Sequence, residues 1–288
     1  MIGAVSTTDA PTIATLRAGD EVDAVFACAR KDRRQARSGL PYLALELRDR
    51  SGTIQARAFR DADLLAGRFE RGDLVRVRGR VGRFREDLQV EVRDVARAEA
   101  ADPAAFLPVA YRDLDELDGF LEHLAREVHD PAYAGVLERL LGDGELRAGW
   151  RRAPCTIGGH HAYLGGLLEH TVAVATLAVE TCQLHVRLNS DLLVCAALVH
   201  DLGKTREFTY GAAIEQSEEG RLLGHLTLGQ QLLEPYLTGL DAERRLALLH
   251  CVLSHHGADR RFGSPEALAL HRLNALDASV KGALEQGP

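Results

Sequence analysis

The stretch Leu198-Val199-His200-Asp201-Leu202-Gly203-Lys204 constrains the fold of this chain more than any other. It closes the apolar run from Asp191 to Val199, so an imidazole and a carboxylate emerge side by side from a segment that otherwise reads as core. A carboxylate placed there needs a cation or hydrogen-bond donors around it, and a His-Asp pair suits a divalent metal. The partners must come from far along the chain. Ten of the twelve histidines lie between His160 and His271, and the ordered series His170, His200-Asp201, His225, His255-His256 and Asp277 offers five imidazoles and two carboxylates. A lone histidine is more often a cap or a core residue than a ligand; the series shifts that balance. The fold must therefore bring several helix ends to one cavity.

Hydrophobic periodicity divides the chain into two parts. From Glu21 the pattern is short alternating segments: a strand Glu21 to Arg30, a basic loop Lys31 to Pro41, and a hairpin of Tyr42 to Asp49 and Gly52 to Phe59 turning at Arg50-Ser51-Gly52. A short helix, Ala62 to Phe69, precedes strands Asp73 to Arg83 and Asp87 to Ala98. Three strands, a helix and two strands is the order of an OB-fold, a small Greek-key barrel. Ala98 to Val109, with two prolines and several alanines, reads as a linker. Beyond it the pattern is helical: Arg112 to Val128, Pro131 to Leu141, Tyr163 to Leu184, Ser190 to Asp201, Leu226 to Thr238, Ala242 to Ser254 and Pro265 to Gly282. The expected architecture is an α+β multidomain chain. Residues 1–16 form a tail, 17–98 the barrel, 99–111 the linker and 112–288 an all-α domain.

Charge separates along the same boundary. The first hundred residues carry 19 Lys and Arg against 16 Asp and Glu, about +3, and the remainder is about −10. The first part suits a polyanion and the second suits cations. Arg33 and Arg34 in the basic loop, with Arg57 and Arg78, are placed to follow a phosphate backbone; Tyr42 and Phe59 offer stacking faces. With only 5% aromatic residues the platform is thin, so the expectation is sequence-tolerant binding of single-stranded RNA or DNA. The alternative is an ordinary barrel whose arginines are merely solvated. The five cysteines are odd in number and form no CxxC pair, which argues against a disulfide framework and reads them as small core residues.

The ligand candidates exceed the needs of one ion. One partition gives a first metal His170, His200, Asp201 and Asp277, and a second His225, His255 and His256, with Asp201 bridging. Paired ions orient water and neutralise the charge developing on a scissile phosphate. Mixed nitrogen and oxygen ligands favour Mn, Fe, Co or Zn over Mg. Lys204, one of only three lysines in the chain, lies four residues after His200 and is assigned to a non-bridging phosphate oxygen; Lys204 and Asp201 are thus the catalytic candidates. His160 and His161 are read as caps of the helix bearing His170, as supports behind the ligands or as substrate contacts, and Arg206 as a pocket residue.

These residues resemble a known family. His170, His200-Asp201 and Asp277 match the H…HD…D pattern of the HD superfamily of metal-dependent phosphohydrolases. The longer blocks HHAYLGGLLEHT (160–171), HDLGKTRE (200–207), Leu223-Gly224-His225 and Ser254-His255-His256-Gly257 are similar to the YhaM-type 3'-5' exoribonucleases. That family also joins an N-terminal OB-fold to its HD domain, so the resemblance covers most of the chain. It implies Mn-dependent removal of nucleotides from the 3' end of RNA and single-stranded DNA. Two features depart from it: Glu266-Ala267-Leu268 follows Gly263-Ser264-Pro265 at once, and Asn274 stands where an acidic residue is expected.

Two other readings compete with this one. The first is a phosphohydrolase of small or cyclic nucleotides with a regulatory OB domain; the second is a nucleic-acid-binding module with a vestigial HD site. No apolar run approaches the roughly 20 residues that cross a bilayer, and no secretory signal is read at the start, so a cytoplasmic location without membrane partners is expected. Homo-oligomerisation stays open.

Overall fold

The computed structural model describes residues 12–36, 39–98, 103–257 and 262–286. Parts of the expected tail and linker, and Arg37 of the basic loop, lie outside them. The described residues separate into two compact units, one holding those up to Pro108 together with Tyr210–Ala213, the other holding Val109–Thr209 and those from Ile214 onward.

The first unit is a closed five-stranded barrel in the order β1-β2-β3-β5-β4. Its strands are β1 (Glu21–Gln35), β2 (Pro41–Asp49), β3 (Gly52–Ala58), β4 (Leu74–Phe84) and β5 (Asp87–Arg97), with helix α1 (Ala62–Ala66) between β3 and β4. Strict alternation turns Leu43, Leu45 and Leu47 of β2 and Val75, Val77 and Val81 of β4 into the core. The parallel pairing of β3 with β5 closes the barrel and removes its open edges. Ile13 and Leu16 also pack into this core, and Ile13 N–H donates to Asp49 Oδ2 at 2.7 Å.

One expectation fails in the barrel. Residues 31–35, read as loop, continue strand β1, pairing with β2 as far as Gln35 opposite Pro41. A register shift between Cys28 and Arg30 lets the strand bend and run on. Arg33 and Arg34 therefore stand on a strand, where a run of polar side chains is tolerated because both faces are at least partly solvated.

The second unit is helical: α2 (Leu114–Arg126), α3 (Pro131–Gly142), α4 (Gly144–Arg152), α5 (Gly166–Leu184), α6 (Ser190–Val199), α7 (Lys204–Glu207), α8 (Glu218–Leu233), α9 (Ala242–Ser254) and α10 (Pro265–Gln286). A short hairpin, β6 (Phe208–Tyr210) and β7 (Ile214–Gln216), interrupts them. Most helices begin on a side-chain cap: Asp113, Asp130, Asp143, Asn189, Ser217 and Asp241 each accept backbone N–H bonds of the first turn. Helix α6 is the hub, with every residue from Leu192 to Val199 buried, as a helix apolar on all sides must be. Burying each Leu or Val stabilises by roughly 1.5–3 kcal/mol, so this helix anchors the His200-Asp201 doublet at its C-terminus.

Candidate metal centre

Asp201 stands at the middle of the helical unit, 1% exposed. Four helix ends or turns deliver imidazoles to it. His170 Nε2 lies 3.5 Å and His200 Nε2 3.4 Å from Asp201 Oδ2, while His255 Nε2 lies 3.3 Å and His225 Nε2 3.6 Å from Oδ1. His256 joins from the rim, its Nε2 2.8 Å from that of His225. Gly224, at φ 69° and ψ 160°, kinks α8 one residue before His225, a conformation that favours glycine. Gly203 lets α7 and α8 approach closely, since a Cβ there would fall 2.0 Å from His225 O.

The outer nitrogen of each of these rings faces an oxygen. His200 Nδ1 faces Ala197 O at 2.8 Å, His255 Nδ1 faces Val252 O at 2.6 Å, His225 Nδ1 faces Glu207 Oε2 at 3.1 Å and His170 Nδ1 faces Asp277 Oδ2 at 2.6 Å. Carbonyls only accept, so Nδ1 of His200 and of His255 donates and their Nε2 lone pairs are turned toward Asp201, while His225 Nδ1 stands beside the Glu207 carboxylate and His170 has Asp277 Oδ2 at Nδ1 and Asn274 Oδ1 3.0 Å from Nε2. For His200 and His255 that is the arrangement of metal-ligating histidines, whose outer N–H is held by a carbonyl or carboxylate. Burial lowers the pKa of His170, of His255 to about 4 and of His256 to about 3, which keeps these rings neutral. Burial opposes ionisation of Asp201, but the Lys204 ammonium beside it holds its pKa well below the ordinary value.

Whether a cation fits can be judged from the atoms without partners. Asp201 Oδ1 and His255 Nε2 are buried and make no hydrogen bond. Leaving each so costs about 1–3 kcal/mol, which a shared ligand would recover. Asp201, His225, His255 and His256 present donor atoms within 4.8 Å of one another, as do His170, His200 and Asp201. The donor set therefore fits a divalent cation on either side of Asp201.

Asp277 groups with His161 and His170, and no such group joins it to His200 and Asp201. It contacts the centre through His170. Behind it lies a buried polar chain: His161 Nε2 is 3.1 Å from Asp277 Oδ2, His161 Nδ1 is 3.0 Å from Tyr163 Oη, and Tyr163 donates to Glu169 Oε2 at 2.6 Å. Burial disfavours the charged form of His161, but the hydrogen bond to Asp277 raises its pKa overall. His161 is 1% exposed with both nitrogens engaged, and α5 has Gly165 at its N-cap, so of the expectations for His161 its surroundings match support of a ligand candidate, Asp277, and not a cap or a substrate contact. His160 stays partly exposed.

Lys204 is buried, with Nζ 2.7 Å from Asp201 Oδ2 and 3.3 Å from Cys155 Sγ. Arg206 pairs with Glu219, Nη2 donating to Oε1 at 2.7 Å and Nε to Oε2 at 3.1 Å. Sequence reasoning missed three residues here. Glu207 and Glu169 sit beside ligand-bearing segments, and only their burial reveals them. Cys155, read as core, is buried and stands beside the doublet, its Sγ 3.3 Å from Lys204 Nζ, a contact that no sequence spacing announces.

On the barrel, Tyr42 and Phe59 lie with ring centroids 5.4 Å apart, and Arg57 lies over both Phe84 at 4.5 Å and Tyr42 at 5.7 Å. Phe59 and Phe84 are half exposed. Arg33, Arg34 and Arg78 pair with Asp63, Asp32 and Asp23, so much of the expected cationic surface is neutralised and the aromatic cluster about Arg57 is its strongest part.

Residues 27–97 match the family model of an OB-fold nucleic acid binding domain, and residues 167–279 match that of the HD domain. The fold and the site thus define a two-domain protein, an OB-fold nucleic acid binding domain followed by an HD domain. Similarity extends across nearly the whole chain. It is 29% identical over 273 residues to the 3'-5' exoribonuclease YhaM of Bacillus velezensis and to that of Bacillus subtilis (strain 168), covering 91% of this chain and 86% of each relative. To the 3'-5' exoribonuclease YhaM of Shouchella clausii it is 28% identical over 279 residues, 92% of this chain and 85% of the relative. The chain is a relative of these exoribonucleases.

Proposed function

We infer that this protein is a metal-dependent 3'-5' exonuclease acting on RNA, with single-stranded DNA as a further substrate and two ions, Mn favoured, about Asp201. The observation that carries the reading is the buried Asp201 carboxylate, with the Nε2 atoms of four imidazoles 3.3–3.6 Å from its oxygens. His225, His255 and His256 would hold one ion and His170 and His200 the other, with Asp201 between them and Asp277 completing or orienting the second set through His170. Divalent ions there supply Lewis-acid charge to the scissile phosphate and make nearby water more acidic than in bulk.

The remaining residues bind and orient. Lys204 is held beside Asp201, where its ammonium would meet a non-bridging phosphate oxygen. His160, on the rim, and Arg206, on exchanging Glu219 for a phosphate, would hold the terminal nucleotide. The aromatic cluster of the barrel stacks bases without regard to sequence. No helix among the described residues is long and apolar enough to cross a membrane, and we place the protein in the cytoplasm with its RNA.

A single-stranded RNA labelled at its 5' end tests this directly. With Mn²⁺ it should shorten stepwise to a ladder of labelled products, and His200→Ala should abolish the ladder while strand binding persists. Immediate release of a labelled mononucleotide would reverse the polarity, and turnover of mononucleotides with RNA untouched would overturn the substrate.

A further inference from the structure

A third donor group adjoins the Asp201 centre, and it alone among the described groups contains a thiol. Cys155 Sγ and one nitrogen each of His160 and His170 all lie within 4.8 Å of one another. The loop between them is built to hold that spacing. Cys155 N–H donates to His161 O at 3.1 Å, and Thr156 Oγ1 donates to His160 O at 2.8 Å while accepting Gly159 N–H at 3.0 Å. Two donors five residues apart are thereby stapled across one closed turn, and α5 brings the third, His170, from below. Cys155 and His170 are fully buried, whereas His160 reaches the surface and gives access.

A second, independent observation marks the group as a ligand site. His160 Nδ1 is buried and makes no hydrogen bond. An imidazole with a sheltered nitrogen and no partner, next to a thiol and a second imidazole, lacks only the atom that would satisfy it. We propose that Cys155, His160 and His170 form a thiophilic metal site, overlapping the Asp201 centre at His170, that takes Zn²⁺ or Cd²⁺. One sulfur and two nitrogens leave a fourth, open position of a tetrahedron, the coordination that Zn²⁺ adopts with such ligands, and thiolate selects these ions over Mn²⁺. On binding, the thiol proton passes to solvent as the sulfur–metal bond forms, and no electrons are exchanged. Lys204, 3.3 Å from the sulfur, yields that contact and remains paired with Asp201.

The site has a consequence for metal selection. His170 belongs both to this group and to that of His200 and Asp201, so an ion held by Cys155 withdraws His170 from the centre. Zn²⁺ then inhibits an enzyme that Mn²⁺ supports. This consequence rests on the nuclease reading above; the binding itself does not.

Titrating the full-length, metal-stripped protein with Cd²⁺ while following the sulfur-to-cadmium charge-transfer absorption tests the binding. The band should appear in the native protein and in Cys182→Ser, which changes the partly exposed thiol, and be lost in Cys155→Ser. His160→Gln, which keeps every cysteine, should weaken cadmium binding at least about tenfold. A band that persists in Cys155→Ser, or unchanged affinity in His160→Gln, overturns the site. In a parallel assay of RNA hydrolysis at fixed Mn²⁺, the Zn²⁺ concentration for half inhibition should rise at least about tenfold in Cys155→Ser; equal inhibition overturns the competition while the cadmium titration still decides the site.

Discussion

Glu207 provides the sharpest test of how the centre is held together, because it touches one ligand candidate and no other. Its carboxylate is almost fully buried and lies 3.1 Å from His225 Nδ1, whose opposite nitrogen faces Asp201. Glu207→Gln keeps the volume and one acceptor but loses the charge, and charge-assisted bonds are roughly twice as strong as neutral ones. Glu207→Ala leaves the Nδ1–H without its acceptor, at about 1–3 kcal/mol. Removing such an outer partner typically weakens metal affinity about 10- to 100-fold, or about 1.4–2.7 kcal/mol. Glutamine should fall near the lower figure and alanine near the upper. Calorimetric titration of metal-stripped protein with Mn²⁺ measures this, with circular dichroism confirming that each variant is folded. If both folded variants bind Mn²⁺ as tightly as the native protein, His225 is not a ligand oriented by Glu207.

Other expectations follow from the same geometry. Gly203→Ala should destabilise the protein by roughly 3 kcal/mol, because its Cβ would meet backbone atoms of His225 and Gly229 at 2.0 and 2.5 Å; urea unfolding reads this out. The metal-free protein should lose stability as pH falls from about 6.5 toward 4. His255 is held neutral with its pKa lowered to about 4, so only the unfolded chain takes up a proton in that window. Thermal unfolding against pH should show a shallower slope in His255→Asn. On the barrel, Phe59→Ala should weaken single-strand binding by about 1–3 kcal/mol with its salt dependence intact, whereas Arg57→Ala should reduce the salt slope by about one; fluorescence anisotropy at several salt concentrations separates the two.

Much of this molecule can be read in its sequence, for physical reasons that differ from part to part. Alternating residues such as Leu43, Leu45 and Leu47 make the barrel strands legible, and the side-chain caps with the continuous apolar face of α6 make the helices so. Helix α4 is not legible, since Trp150 is its only buried residue and its polar surface resembles a loop. The extension of β1 through Lys31 to Gln35 is hidden because those residues carry charge, while backbone pairing with β2 sets their conformation. At the centre, His170, His200, Asp201, His225, His255 and His256 are recognisable as chemistry-bearing types before their convergence is known. Glu169, Glu207 and Cys155 are not, because a carboxylate or a thiol acquires a role only from what burial places against it. Asn274, a departure from the expected acidic residue, lies 3.0 Å from His170 Nε2 and so takes part in the same cluster.

The central claim is that Asp201 organises a divalent metal centre. Anomalous diffraction from crystals of the full-length protein soaked in Mn²⁺ tests it most directly. Density is expected within bonding distance of Asp201 and of His225, His255 or His256, and of His170 or His200 where a second ion is held. Strong Mn²⁺ density elsewhere in the protein, with none at Asp201, would contradict it.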